Sequence, residues 1–287
     1  MPRRTARARF TPLEIFIAVL AAATVIVDYP GRWRIGYGPI RHTEWDGVAL
    51  ADLACPVLLF LLGVTIPLSA RVSTVGRMVS RSAVLIAVGL LVSGYPRFDP
   101  LTWRVPGVLQ RAGFCYLVAA TAFHSTAGER RRRGAILVSA ATFLTLGYWL
   151  VIAHVPVPRG TAGDLSPEGN VAAWVDRVVF SAHLWNPHWD PDGLLSTISS
   201  VSTMWFGVAA GLCIDSNERT ARKAAQLAGA GAGGIVAGIL WSPMLPVNRT
   251  LWSSSFMVLS AGVGALVLAA WCIAADRALL GPLRSQS

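Results

Sequence analysis

The 287-residue chain is 54% hydrophobic and only 14% charged, with a mean hydropathy of +0.53. Ordinary soluble domains carry about a quarter charged residues, so this composition excludes a soluble globular protein and indicates a membrane protein with the lipid bilayer as partner. The net charge of +10 does not indicate a nucleic-acid partner, because the basic residues form short clusters between apolar runs and no recognition motif accompanies them.

Eight apolar runs follow one another along the chain, and most approach the length of about 20 residues that a helix needs to cross a bilayer. They predict an all-α fold, a polytopic transmembrane helix bundle of about eight spans. The third run is short, and its helix could begin as early as residue 77. The predicted spans are residues 11–28, 49–69, 82–96, 105–124, 134–155, 193–214, 224–241 and 252–275.

Basic residues cluster in alternate connecting segments, which gives the predicted spans an orientation. Cytoplasmic segments of membrane proteins are enriched in Lys and Arg, so both termini are expected in the cytoplasm. The chain then divides into a basic cytoplasmic segment at 1–10, a single transmembrane domain at 11–275 and a short cytoplasmic tail at 276–287. The outer loops are predicted at residues 29–48, 97–104, 156–192 and 242–251.

The four cysteines all lie within apolar runs and lack the paired spacing of a zinc site or a disulfide framework. We therefore expect them to be small buried hydrophobic residues, and we expect no metal site. They are Cys55, Cys115, Cys213 and Cys272.

Polar residues concentrate in the predicted outer loops. His42 stands in the first of these loops, in RHTEWDG, and Arg111 lies about two turns inside the fourth span. A charge within a span commonly faces the bundle interior and is a functional-site hypothesis by default. The structural alternative is that Arg111 pairs with a carboxylate such as Asp52 and holds two helices together. The sequence DPDG before the sixth span is interpreted as a turn and a helix start that need no chemistry.

Five motifs occur in order along the chain: RHTEWDG, RVPGVLQR, GDLSPEGN, DPDGLLST and LPVNRTLWSSSF. This ordered set resembles the heparan-α-glucosaminide N-acetyltransferase family and its bacterial relatives, from about residue 13 to residue 260. The resemblance implies a membrane acyltransferase that uses cytoplasmic acetyl-coenzyme A as co-substrate. The acceptor would be an amino sugar, a glycan or a glycolipid on the outer face. It also implies a multi-pass protein of a bacterial cytoplasmic membrane, with its site facing outside.

Three residues are catalytic candidates, of which the resemblance implies His42. The family's active histidine lies in the first outer loop just before a Trp-x-Gly, and His42 occupies that place in HTEWDG. Histidine titrates near neutral pH, so it suits either a base that takes the proton of an attacking amine or a carrier of the acyl group. Asp52 is a candidate to orient His42. Asp28, where the family commonly has asparagine, completes the set.

Candidates for binding the donor or the acceptor are further polar residues of the outer loops. Negative charge that develops on the carbonyl oxygen needs donors, for which Arg104, Arg111 or Asn248 are candidates. Arginine pairs with phosphate, so the first outer loop could attract coenzyme A, although the cytoplasmic arginines are rivals for this role. Asp164 and Glu168 of GDLSPEGN are also candidates. The arginines of the first outer loop are Arg32, Arg34 and Arg41.

Two departures from the family pattern keep other functions open. The first span has Ile17 where the family's Asp-x-Phe-Arg-Gly pattern places arginine, and the chain stops soon after the eighth span, where family chains usually continue. The further spans of the family chains could help to form a pathway or pocket. In this protein, a second copy in a homodimer or an additional membrane subunit could supply that part. The alternatives to an acyltransferase are a non-catalytic relative, since a fold can outlive its chemistry, and a transporter or lipid-handling membrane protein.

Overall fold

A computed structural model describes residues 13–25, 42–69, 74–95, 98–126 and 128–284. The described residues form helices and connecting loops, with no β-strand among them. The helices are α1 (Leu13–Val25), α2 (Ala54–Leu68), α3 (Val75–Gly94), α4 (Val108–Ser125), α5 (Arg130–His154), α6 (Val171–Phe180), α7 (Leu194–Ile214), α8 (Thr220–Trp241) and α9 (Ser254–Arg284).

Within this described part, six helices are long and apolar enough to cross a membrane: α2 with the short turn before it, α3, α5, α7, α8 and α9. Helix α1 is apolar but shorter. Helix α4 corresponds to the predicted fourth span, and its residues Gln110, Arg111 and His124 lower its hydropathy. The chain is thus a multi-pass helical membrane protein, whereas the count of eight spans and the cytoplasmic position of the termini stay predictions.

The helices divide into a central group and a peripheral group. Between 61% and 67% of the apolar stretch is buried in α2, α7 and α9, against 17% to 28% in α3, α5 and α8. Glycine lets the central helices approach closely, because a side chain at Gly63 would meet the backbone of Met204 and one at Gly207 would meet that of Phe60. The central helices therefore form a rigid support for the loops at their ends.

Two segments differ from the sequence prediction. Helix α3 begins at Val75, before the run predicted at residue 82, because a helix can continue beyond its apolar stretch into residues such as Arg77 and Arg81. The segment predicted as an outer loop at 156–192 contains the ten-residue helix α6. Asn170 starts this helix, since its side-chain oxygen accepts the backbone N–H of Ala173 at 2.7 Å. Helix α6 is too short to cross a bilayer.

Candidate active site

His42 and Asp52 meet where the first described loop enters α2. Nδ1 of His42 lies 2.7 Å from Oδ1 of Asp52, whose carboxylate is fully buried in the turn Ala51–Leu53. The other carboxylate oxygen accepts the backbone N–H of Ala49 at 2.7 Å and the hydroxyl of Thr43 at 3.0 Å. We call His42 and Asp52 the histidine dyad. Of the two partners that the sequence left open for Asp52, His42 and Arg111, the structure places His42 at this contact.

The dyad has the geometry of an oriented base. An ionised carboxylate only accepts hydrogen bonds, so the contact holds the proton of a neutral His42 on Nδ1 and leaves the basic lone pair on Nε2. The His42 side chain is 26% exposed, whereas that of Asp52 is 1% exposed. The buried carboxylate is thus the fixed partner, and the exposed part of the imidazole does not include Nε2, which is buried.

The loop that carries His42 is tied to the segment before α9. The backbone N–H of Gly47, at φ +106°, donates to the carbonyl of Val247 at 2.7 Å. The buried Asn248 donates its side-chain amide to Asp46 at 3.1 Å and accepts the backbone N–H of Leu251 at 2.8 Å. Asn248 therefore joins the two loops.

Two residues from other segments, Leu165 and Arg249, also reach this loop. The indole N–H of Trp45 donates to the carbonyl of Leu165 at 2.9 Å. Arg249, from the segment before α9, lies close enough to Asp52 to interact with it electrostatically. Sequence reasoning did not include Arg249 among the site candidates, because nothing in its position along the chain indicates that it approaches Asp52.

A second polar centre, which we call the arginine network, consists of Arg104, Arg111, Asp190 and Asp192. Arg104 binds Asp190 through two nitrogens, at 2.9 and 2.6 Å, and Asp192 at 3.0 Å. Arg111 lies 3.5 Å from Asp192. All four side chains are buried or nearly so, and their formal charges balance.

Arg111 has a full set of partners in its buried position. One guanidinium nitrogen donates at 2.7 Å both to the carbonyl of Pro191 and to the hydroxyl of Ser196. The guanidinium carbon lies 4.4 Å from the ring centre of Trp252, which adds a cation–π contact. Arg111 therefore pairs with Asp192, and Asp52 is the partner of His42.

The DPDG motif contributes more than a turn. Asp190 and Asp192 supply the two carboxylates of the arginine network, and the interpretation that the motif needs only turn chemistry missed this. The signal in the sequence was the number of charges, since two buried arginines, Arg104 before α4 and Arg111 within it, require two carboxylates from another segment.

Asp176 of α6 is a further buried carboxylate that sequence reasoning missed. It accepts the backbone N–H of Leu194 at 2.7 Å and so caps the start of α7. Burial, together with the negative charge of the neighbouring Asp190, raises the pKa of Asp176 to about 7, against the lowering effect of the backbone hydrogen bond and of Arg111 and Arg177.

Asp164 and Glu168 lie in the loop before α6. Asp164 accepts the backbone N–H of Ser166 at 2.8 Å, and hydrogen bonds from Ser166 lower the pKa of this exposed-loop carboxylate. A carboxylate oxygen of Glu168 lies 3.9 Å from Nε2 of His188, with both side chains exposed. Four other candidates fall outside the described residues: Asp28, Arg32, Arg34 and Arg41. Among the residues that the structure does describe, no group of three His, Cys, Asp or Glu side chains is arranged to hold a metal ion.

Comparison with known proteins gives two relatives and no match to a family model. The chain is 27% identical to the heparan-alpha-glucosaminide N-acetyltransferase of Mus musculus, over 89% of this chain and 47% of the relative. It is 27% identical to the protein of the same name from Homo sapiens, over 87% of this chain and 46% of the relative. The chain thus spans about half the length of the curated relatives it matches. The similarity confirms the resemblance to the heparan-α-glucosaminide N-acetyltransferase family that the five motifs indicated.

Proposed function

We propose that this protein is a membrane acyltransferase in which the histidine dyad carries out acyl transfer. The observation that supports this most is the 2.7 Å contact between Nδ1 of His42 and the buried Asp52, at the position where the family resemblance expects the active histidine. The names of the two relatives support N-acetyl transfer as the reaction type. The donor we propose is acetyl-coenzyme A.

The dyad would act on an amine acceptor. The amine nitrogen attacks the carbonyl carbon of the thioester, a carbon–nitrogen bond forms, and the carbon–sulfur bond breaks. His42 takes the proton that the amine loses and returns it to the thiolate leaving group, while Asp52 stabilises the positive imidazolium between the two steps. In a covalent variant, Nε2 of His42 first accepts the acetyl group from the thioester and then passes it to the amine.

The contacts of the arginine network favour a supporting role for Arg104 and Arg111. Both guanidinium groups already bind buried carboxylates, and a group with these partners would have to give them up to bind a developing oxyanion. We propose that the network positions the segments before α4 and α7. Asn248 has the same kind of role, because its amide joins the loops on either side of the dyad.

We further propose that the acceptor is an amino sugar, a glycan or a glycolipid at the outer face of a bacterial cytoplasmic membrane. The polar loops around the dyad support this sidedness, because the opposite ends of the helices carry basic residues such as Arg130 to Arg133. Asp28, Arg32, Arg34 and Arg41 stay candidates for binding at the same face. Asp164 and Glu168 are candidates for the acceptor side of the site.

The direct test uses the purified chain in detergent with radiolabelled acetyl-coenzyme A, with and without amino sugars. We expect labelled N-acetyl product only in the presence of acceptor and intact His42. His154, another histidine at the same end of the bundle, supplies the matched control, and His154→Ala should keep activity. No product from any amine with the intact protein would favour the non-catalytic or transport alternatives.

A further inference from the structure

A lateral cavity of about 390 Å³ lies among α2, α5, α7, α8 and α9, apart from the histidine dyad. Helix α5 packs on α7, helix α8 packs on α9, and the cavity occupies the space between these two pairs. Its volume is within the range of about 300 to 1,000 Å³ that is usual for small-molecule sites. A bound group is therefore a reasonable occupant for a space of this size.

The lining is almost entirely apolar. Phe206 and Ala209 of α7 face Ala230 of α8 across it, and Ala265 of α9 contributes to the inner wall. Water in such a space would find few hydrogen-bond partners, so the lining suits a hydrocarbon chain. Val138, at one edge, is 39% exposed, so the cavity is accessible from the side, where a membrane protein meets lipid.

The polar lining residues lie together at one end of the cavity. Cys213, near the end of α7, donates to the side-chain oxygen of Gln226, near the start of α8, at 3.3 Å. This pair marks the end at which the loop between α7 and α8 leaves the bundle. An amphipathic ligand would thus lie with its polar group beside this loop and its hydrocarbon part inside the cavity.

Basic residues surround that same end. Lys223 donates its ammonium to the carbonyl of Ile214 at 2.6 Å, which places a positive charge beside the loop. Arg222 is one turn before Gln226 and exposed, with Glu218 at 3.1 Å as a solvent-accessible partner. Arg131 lies two turns before Val138 on the same face of α5. Basic pockets between membrane helices attract anionic lipid head groups.

We propose that this cavity binds one acyl chain of an anionic phospholipid, whose phosphate lies beside Arg131, Arg222 and Lys223. The apolar lining favours a hydrocarbon chain as the buried part of the ligand, and the basic residues at one end favour a negatively charged head group. The bound lipid fills the space between α5 and α8 and joins the two helix pairs. This proposal does not depend on the acyl-transfer function.

The test is native mass spectrometry of the full chain, delipidated in detergent and titrated with phosphatidylglycerol or with phosphatidylcholine. We expect phosphatidylglycerol to bind more tightly by about 100-fold, the order expected for three nearby basic side chains. Ala230→Leu, which fills the cavity, should abolish this preference. Ala237→Leu is the matched control, since Ala237 is exposed on the same helix but is not part of the described cavity lining, and it should bind as the unmodified chain does.

The head-group part is tested separately with Arg131→Gln combined with Arg222→Gln. This variant should lose most of the preference for phosphatidylglycerol and keep only the part that Lys223 contributes, whereas Arg159→Gln, in the loop after α5, should keep the full preference. Ala209→Leu fills the cavity from α7 and provides a second variant if Ala230→Leu folds poorly. Unchanged phosphatidylglycerol binding in both filled variants would overturn the proposal. Displacement of the lipid by coenzyme A, or a lipid-free dimer that the filled variants lose, would also overturn it by assigning the cavity to another occupant.

Discussion

The histidine dyad and the arginine network stand at the same end of the bundle, but they use their carboxylates differently. In the arginine network, two buried carboxylates form ion pairs with two buried guanidinium groups. Arg111 also donates hydrogen bonds to Pro191 and Ser196. In the dyad, one buried carboxylate holds a histidine that is 26% exposed. Balanced, enclosed charges maintain a shape, whereas a histidine held by a fixed carboxylate can exchange protons with a substrate that reaches its Nε2.

The largest effect should come from the dyad. His42→Ala is expected to lower the rate of acetyl transfer by roughly 10²- to 10⁴-fold, the usual contribution of a positioned acid or base. The same change should leave the folded yield and the thermal midpoint nearly unaltered, because a partly exposed loop side chain contributes little packing. Both quantities are measured on the same purified sample. Full activity in this variant would contradict a catalytic role for the histidine dyad.

The network should show the opposite pattern. Arg111→Met is expected to destabilise the folded protein by about 3 to 5 kcal/mol, because it leaves a buried carboxylate uncompensated. Thermal unfolding in detergent measures this loss. Combining Arg111→Met with Asp192→Asn should recover part of the stability, since the unpaired charge is then absent. A double variant that is no more stable than the single one would show that the charge balance is not what the network supplies.

Asp52→Asn sharpens the comparison inside the dyad. An amide can still contact His42 but cannot stabilise an imidazolium as a carboxylate does, so the rate is expected to fall by roughly 10- to 100-fold. Membrane insertion and yield should stay close to those of the unmodified chain. Steady-state kinetics with the same donor and acceptor provides the measurement. A loss of yield without a change in the rate per folded molecule would show that Asp52 has a structural role, like the carboxylates of the arginine network.

The smallest effect concerns pH and Asp176. Its pKa in the folded protein, about 7, is above the value near 4 of an exposed aspartate, so the folded state binds this proton more tightly than the unfolded state does. The resulting stabilisation is present at acidic pH and is lost as the pH rises through about 7. Asp176→Asn should therefore flatten the fall in thermal midpoint between roughly pH 4 and 7. An equal slope in both proteins would contradict this.

Six of the eight apolar runs correspond to described helices that are long and apolar enough to cross a membrane, because a bilayer allows few alternatives to a helix. Helix α6 was missed, since a segment of ten residues among polar loops lacks that constraint and depends on the cap at Asn170. The start of α3 was predicted at residue 82, whereas the helix begins at Val75. Hydropathy indicates where the apolar stretch begins, and the helical hydrogen bonds begin before it.

The sequence predicted which residues lie in the candidate site better than it predicted which of them contact one another. The motif indicated His42, and the polar start of α2 indicated Asp52, but Arg111 was equally compatible with Asp52 as a partner. The turn at Ala51–Leu53 decides this by directing the carboxylate toward Thr43 and His42. The role of Asp190 and Asp192 depends on contacts with residues more than 80 positions earlier, which no local pattern reveals.

The close contact between α2 and α7 has a mechanical consequence for the chemistry at their ends. Asp52 precedes α2 and Asp192 precedes α7, and these two helices touch backbone to backbone at Gly63 and Gly207. Gly63 is roughly 15 Å below Asp52 along the helix axis. If α2 slid along α7, Asp52 would move relative to Asp192 by the same distance. The close contact at Gly63 and Gly207, which have no side chains, therefore fixes the separation between the histidine dyad and the arginine network.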